Sequence, residues 1–315
     1  MAILAPALCA DADGRPLDGM VALVSGGGRG VGRLLGARLA GAGAAVGLIA
    51  RSADELDAAV GEIHRAGGTV AAAVADVTDQ RATAAAVTEL RRKLGTVDIL
   101  VNNAGISGPV GPLWQAQTAE WWRAIEVNLG GAFVLTQLAL AHMIPAGRGR
   151  IINITSYAGV YRWPLLSAYA ASKAALVKLT ENLAEETRPH GVSVFSVDPG
   201  LLPIGLGEVA LRSRAGQQTP EGRVHHWIRN QFAAGRGADP EEAARLILAL
   251  ASGHADRLSG RHLSVTDDLD DLLSRIDQIE RDDLHTLRLR AGHRPQPPAP
   301  QVRSRRARGD RAQVR

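Results

Sequence analysis

Three side chains within one stretch, Ile151 to Leu183, have the types and spacing for proton transfer at an oxygen atom. Ser156 follows an apolar run, Ile151 to Ile154, that reads as a strand. Tyr169 and Lys173 lie four residues apart in Ala168 to Leu183, an Ala- and Leu-rich segment without Gly or Pro that reads as a helix. Positions i and i+4 share a helix face, so the phenol and the ammonium would point into the same space. A free tyrosine has a pKa of roughly 10 and exchanges protons poorly near neutrality. A fixed lysine cation nearby would favour the phenolate and draw that value down. A serine hydroxyl at the same centre would hold a carbonyl or alcohol oxygen in place. An isolated Tyr-x-x-x-Lys is most often a half-buried aromatic beside a solvated lysine, so the surrounding elements decide.

Those elements alternate. Met20 to Val24 reads as a buried strand that runs into Ser25-Gly26-Gly27-Gly28-Arg29-Gly30-Val31-Gly32, with a helix over Arg33 to Leu39. Strand, Gly-rich turn and helix together form a dinucleotide-type site, in which the backbone approaches a pyrophosphate at the positive helix N-terminus. Further strands are expected at Ala45 to Ala50, Thr69 to Ala75, Val97 to Val101, Val192 to Val197 and His262 to Val265. Helices are expected at Ser52 to Ala66, Gln80 to Leu94, Thr118 to Ala141 and Pro240 to Ala251. Such alternation implies an α/β fold with a doubly wound parallel sheet in three α/β/α layers. Ligands bind such sheets at the carboxyl ends of their strands.

With 315 residues, 46% of them hydrophobic, the chain can bury a sizeable core. No apolar run approaches the ~20 residues that span a bilayer, and the opening lacks the basic region of a signal peptide, so a cytoplasmic protein without a membrane is expected. The single cysteine, Cys9, excludes an internal disulfide framework. No His/Asp/Glu grouping has ligand spacing, and no metal site is expected. The formal charge of +4 belongs to the tail: residues 291–315 carry seven Arg and one Asp, leaving −2 for the rest. This Arg- and Pro-rich tail has too little apolar content to fold alone, and nucleic acid is not the expected partner. The organisation expected is an N-terminal extension at 1–16, a catalytic domain at 17–265, a C-terminal amphipathic helix at 266–290 and a disordered tail at 291–315. Leu269, Leu272, Leu273, Ile276 and Ile279 fall at helical spacing in the third segment. Their stripe must dock on its own domain or on a neighbouring subunit.

From about Leu17 to Val265 the chain resembles the short-chain dehydrogenase/reductase family in its single-domain, extended Rossmann form. The resemblance is carried by SGGGRGVG, Asp76-Val77, the NNAG of Asn102 to Gly105, Asn128, Ser156, the YAASK of Tyr169 to Lys173 and Pro199-Gly200, in that order. It implies NAD(P)(H)-dependent oxidation of alcohols or reduction of carbonyls. Tyr169 would be the general acid for reduction and the base for oxidation. Lys173 would lower the Tyr169 pKa and bond the nicotinamide ribose, Ser156 would orient the substrate oxygen, and Asn128 would hold a water linking Lys173 to solvent. The resemblance assigns Ser25, Gly26, Arg29, Gly30, Val31 and Gly32 to the pyrophosphate turn and Asp76 and Val77 to the adenine. Asn103, Ala104 and Gly105, with Pro199 and Gly200, would line the rest of the cofactor cleft. One departure stands out: Ile204 occupies the place where the family often has a Thr that touches the nicotinamide carboxamide.

Where an acidic residue would bond a ribose 2′-OH, the sequence has Ala50-Arg51-Ser52, so Arg51, Ser52 and Arg29 point to a 2′-phosphate and to NADP(H) over NAD(H). Trp114, Tyr157, Tyr161 and Trp163 follow strand ends, and a lid-like stretch from Leu201 to Gly237 holds His225, His226 and Trp227. The aromatics suggest a rim for a fairly large apolar or cyclic carbonyl compound, and the two histidines read as surface residues. The favoured function is a ketone or 3-oxoacyl reductase. The alternatives are an NAD-dependent dehydrogenase of a cyclic or hydrophobic alcohol and a non-catalytic NADP(H)-binding sensor. Apolar positions Leu129, Phe133, Leu140, Leu176, Leu179 and Leu183 exceed what one sheet contact requires, and point to a homodimer or homotetramer.

Overall fold

Short runs of Val, Ile, Leu and Ala, each ended by Gly or a polar turn, become seven strands, because β-branched and aliphatic side chains suit a sheet buried on both faces. The computed structural model describes residues 15–289. Cys9 and the tail expected at 291–315 lie outside the described residues. In chain order the elements are β1 (Val21–Ser25), α1 (Gly30–Gly41), β2 (Ala45–Ala50), α2 (Ala53–Arg65), β3 (Val70–Val74), α3 (Gln80–Leu94) and β4 (Ile99–Asn102). There follow α4 (Thr118–Ile125), a π turn at Glu126–Gly130, α5 (Gly131–Ala146), β5 (Gly149–Ile154), α6 (Ser167–Thr187) and β6 (Val192–Asp198). The described chain closes with α7 (Leu206–Arg212), α8 (Pro220–Ala233), α9 (Pro240–Ser252), β7 (His262–Ser264), α10 (Leu269–Ser274) and α11 (Ile276–Arg281).

All strand pairs are parallel, in the order β3-β2-β1-β4-β5-β6-β7. Successive strand residues face opposite layers: Ala22 and Val24 join α1, α2 and α9, whereas Val21 and Leu23 join α3 and α5. This is the doubly wound, three-layer α/β/α sheet. The chain order reverses direction between β1 and β4, which opens a crevice at their carboxyl ends.

The helix expected at Thr118 to Ala141 is a continuous helical rod from Thr118 to Ala146, 29 residues long. By length and composition it could cross a membrane, but half of its most apolar window is buried in the protein. It packs as a core helix against β4 and β5. Its π turn widens the backbone at Asn128, a local defect of the kind helices use at functional sites.

The C-terminal amphipathic segment is two short helices, not one, because the backbone at Arg275 leaves helical geometry (φ −107°, ψ 18°). The break lets Leu269, Leu272, Ile276 and Ile279 all bury in the layer that holds α1 and α9, so this stripe docks on its own domain. The chain then returns along the open edge of β7. His262 N–H donates to His285 O at 2.8 Å, and the buried Glu181 carboxylate of α6 accepts from Arg288 at 2.6 Å and from Lys178 at 2.7 Å. An uncovered edge strand presents unpaired backbone groups, and this strap covers part of that edge.

Candidate active site

β5 ends at Ile154 and delivers Ser156, whose hydroxyl accepts the Ala158 N–H at 3.2 Å and starts a tight turn over Tyr157–Gly159. α6 then presents Tyr169 and Lys173 one turn apart on the face toward that strand end. The Lys173 ammonium donates to Ile154 O at 2.7 Å and lies 5.7 Å from the centre of the Tyr169 ring. Asn128 approaches from the π turn. Its Oδ1 accepts the Ile106 N–H at 2.8 Å, and its amide donates to Ile106 O at 3.0 Å and to Ser172 Oγ at 2.9 Å. A Cβ added to Gly105 would sit 3.4 Å from Asn128 Oδ1 and 3.6 Å from Lys173 Nζ, so the bare Cα keeps the space between those groups open. Four residues from three elements thus meet beside the crevice.

The electrostatics differ from the sequence expectation. Burial pushes the Tyr169 phenol up to about 12; the Ser156 side chain beside it works downward, and the Asp198 charge adds to the rise. Burial also pushes the Lys173 ammonium down to about 8, against an upward pull from Asp198. Desolvation of the phenolate sets the direction, while Lys173 spends a donor on Ile154 O at 2.7 Å and lies 5.7 Å from the ring centre. A phenol kept protonated in this way is a proton donor.

The Gly-rich turn after β1 passes directly under the NNAG turn. Asn103 Nδ2 donates to Ser25 O at 2.9 Å, and Ser25 Oγ accepts the N–H groups of Asn103 and Ala104 at 3.0 and 3.1 Å. A Cβ on Gly32 would fall 2.2 Å from Gly26 O and 2.5 Å from Asn103 Nδ2. Only a glycine lets helix α1 start this close to the strand end, so the turn fits the pyrophosphate of a dinucleotide at a helix N-terminus. Gly26, Arg29, Gly30 and Val31 lie in the same turn, and the backbone of Gly205, from the segment before α7, packs directly on Gly30.

Some expected contacts are placed differently. Ser25 is buried and its hydroxyl is committed to the NNAG turn, so it supports the cleft from beneath. The Ser52 hydroxyl caps α2 by accepting the Glu55 N–H at 3.3 Å. Val77 buries its side chain in the core against Gly131. Asp76 stands at the cleft but is held by Thr78 and Arg123; burial works to raise its pKa, and these hydrogen bonds hold it below the usual carboxylate range. Arg51 and Arg29 are mostly exposed beside the end of β2, 3.9 Å from Asp76 and 3.7 Å from Glu55 respectively. Pro199 and Gly200 follow β6, where Gly200 N–H donates to Asp198 at 3.1 Å.

At the substrate end, Tyr157 stacks on Tyr161 with ring centres 4.0 Å apart, and Trp163 meets Trp227 of α8 edge-on at 4.8 Å. The lid is thereby joined to the loop that follows Ser156. Trp114 is 85% exposed and takes no part in that cluster. His225, expected at the surface, is buried where α8 packs on its neighbours. Sequence reasoning missed Ser172, Arg123 and Asp198. An Asp closing the apolar strand VSVFSVD was the one visible signal among them; a Ser inside a helix and an Arg on an amphipathic helix look ordinary.

Comparison with known proteins agrees with this geometry. Residues 20–207 match the family model described as short chain dehydrogenase. Gluconate 5-dehydrogenase of Gluconobacter oxydans is 34% identical over 249 residues, which cover 79% of this chain and 94% of that protein. The 3-oxoacyl-acyl-carrier-protein reductase FabG of Thermotoga maritima is 32% identical, covering 79% of this chain and 97% of that protein. Among solved structures, an actinorhodin polyketide ketoreductase variant with NADPH superposes with a TM-score of 0.72 at 29% identity, covering 78% of this chain and 95% of that one.

Proposed function

This chain belongs to the short-chain dehydrogenase family, and we propose that it works as an NADP(H)-dependent reductase of a ketone or 3-oxoacyl compound. As a family member it is an NAD(P)-dependent oxidoreductase acting on CH–OH and carbonyl groups. The observation that carries the finer reading is the meeting of Ser156, Tyr169, Lys173 and Asn128 at the carboxyl ends of β4 and β5, next to the turn that Gly32 permits. The nicotinamide, when bound, supplies the hydride for reduction or takes it in oxidation. Ser156 holds the substrate oxygen by hydrogen bonding, and the Tyr169 phenol gives its proton to that oxygen as charge develops there. Lys173 is the cation that compensates the phenolate left behind. Asn128 fixes the backbone of Ile106 and, through Ser172, the start of the Tyr169 turn. Trp163, Trp227, Tyr157 and Tyr161 supply an apolar wall suited to a cyclic or aromatic carbonyl compound. The relatives named above include one acting on gluconate and one on acyl-carrier substrates, so a panel of ketones, 3-oxoacyl thioesters and sugar acids, each with NADPH and NADH, tests the reading. No turnover with any of them would remove it.

NADP(H) is favoured by Arg51 and Arg29, which flank the end of β2 where no carboxylate follows Ala50. Arg51→Asp is expected to lower kcat/KM with NADPH relative to NADH by about tenfold or more, the worth of one charge-assisted hydrogen bond. An unchanged ratio would show that Arg51 does not read the phosphate.

Self-association is proposed through the outer face of α5 and α6. Leu176 and Leu183 are buried within their own subunit, but Phe133 is 46% exposed and Leu129, Leu140 and Leu179 are partly exposed. Light scattering is expected to give a multiple of 33.1 kDa. Phe133→Glu should yield folded monomer; a wild-type monomer at micromolar concentration would contradict the interface.

A further inference from the structure

The Arg123 guanidinium of α4 crosses to the turn after β3, where it donates to Asp76 Oδ2 at 2.5 Å and to Thr78 Oγ1 at 2.5 Å. The other carboxylate oxygen, Oδ1, accepts the Thr78 N–H at 3.0 Å and the Thr78 hydroxyl at 2.8 Å. Burial works to raise the Asp76 pKa, and these bonds hold it below the usual carboxylate range, so the group is an anion at neutral pH. A second guanidinium approaches the same anion: Arg51 Nη1 lies 3.9 Å from Oδ2, beyond hydrogen-bond distance. That closeness follows from the sheet. Ala50 is the register partner of Val74, and Ala75 N–H donates to Ala50 O at 2.9 Å, so Arg51 and Asp76 leave adjacent strand ends. One carboxylate oxygen thus has an arginine bonded to it from α4 and another standing off from the end of β2.

We propose that Arg123 is a specificity-determining residue for the cofactor: by binding Asp76 it keeps that carboxylate from capturing Arg51 and from repelling a 2′-phosphate, on the reading that Arg51 receives the phosphate. A phosphate monoester carries about −1.5 to −2 charge near neutral pH. A carboxylate without its partner, beside Arg51, would act against such a group in two ways. It would draw the Arg51 guanidinium into an ion pair of its own, and it would add like-charge repulsion at the site. The ribose hydroxyl of NAD(H) would feel little of either. Arg123 suppresses both effects, because an arginine stays charged and its fork matches a carboxylate. The other acid near Arg123 is Glu126, 3.8 Å away and 60% exposed, so the bond to Asp76 is the closer and better shielded of the two. Arg123 is not the sole brace of this turn. Val77 packs so closely on α5 that a Cβ at Gly131 would fall 2.6 Å from it, and that contact survives without Arg123.

The full-length protein is titrated with NADPH and with NADH, following nicotinamide fluorescence, and the ratio of the two Kd values is read for each variant. A ratio cancels any loosening of the adenine end that both cofactors share. Arg123→Gln is expected to shift the ratio about tenfold toward NADH, the worth of one charge-assisted contact. Adding Asp76→Asn to Arg123→Gln is expected to return the ratio to within about twofold of the wild type, since no carboxylate then needs a partner. Equal weakening of both cofactors by Arg123→Gln, or a double variant that keeps the shifted ratio, overturns the proposal and leaves Arg123 a structural brace. If Arg123→Gln does not fold, Asp76→Asn alone decides. It leaves the two arginines without their shared anion, so the ratio must move toward NADPH; an unmoved or opposite ratio overturns the proposal. Arg51→Asp, measured alongside, separates the two readings. A ratio moved by Arg51→Asp but not by Arg123→Gln fails this proposal alone, whereas a ratio that Arg51→Asp leaves unmoved fails the NADP(H) reading and this proposal with it.

Discussion

Tyr169→Phe is expected to lower turnover by about 100-fold or more while leaving NADP(H) affinity near that of the wild type. Only the phenolic oxygen is lost, and Phe fits the half-buried position on α6 without a change in volume that the site must absorb. The proton this hydroxyl gives has no other local source of the same placement. An aliphatic hydroxyl such as that of Ser156 is a much weaker acid than a phenol, and Lys173 donates to Ile154 O at 2.7 Å. Because burial pushes the phenol up to about 12, it is protonated throughout the neutral range, the state required for carbonyl reduction. Oxidation needs the phenolate, so alcohol oxidation should strengthen as pH rises. Steady-state kinetics beside a fluorescence titration of NADPH separates the two quantities; near-normal turnover in the folded Phe variant would remove Tyr169 from the mechanism.

The second large effect is expected at Gly32. Gly32→Ala places a methyl carbon 2.2 Å from Gly26 O and 2.5 Å from Asn103 Nδ2. Neither is the loose end of a flexible side chain: one is backbone, and the other donates to Ser25 O at 2.9 Å. The turn must open to admit the methyl group, at a cost of about 1–3 kcal/mol by the usual scale of overpacking. The same opening moves the first N–H groups of α1 away from where a pyrophosphate would lie. NADP(H) affinity is therefore expected to fall at least about tenfold, with a lower melting temperature. Wild-type affinity in this variant would show that the turn is not the phosphate cradle.

Much of this architecture was legible in the residues. Gln80 to Leu94 and Ala45 to Ala50 form with the boundaries that periodicity and β-branched content suggest, because local preference and burial agree there. The YAASK spacing placed Tyr169 and Lys173 on one face for a reason that needs only helix geometry. The remainder depends on contacts between distant segments. Ser25, Ser52 and Val77 lie where the motif order put them, yet their side chains bond or pack inward, since a buried strand end must first satisfy its own polar groups. The direction of the Tyr169 shift is not legible in the spacing, which reports proximity to Lys173 but not the desolvation of the phenol. The strap over β7 carries no periodic pattern at all; it exists because Glu181, Arg261 and His262 offer partners to residues that are far away in sequence.

Hydride transfer itself gives the most direct test. NADPH carrying deuterium at the transferred C4 position is incubated with the full-length protein and a panel of cyclic, aromatic and 3-oxoacyl carbonyl compounds, and products are read by mass spectrometry and NMR. The account predicts deuterium on the carbinol carbon of at least one product, with a rate that falls at least about 100-fold in Tyr169→Phe. Tight NADPH binding with no deuterium transferred to any carbonyl would contradict it, and would make this protein a nucleotide sensor.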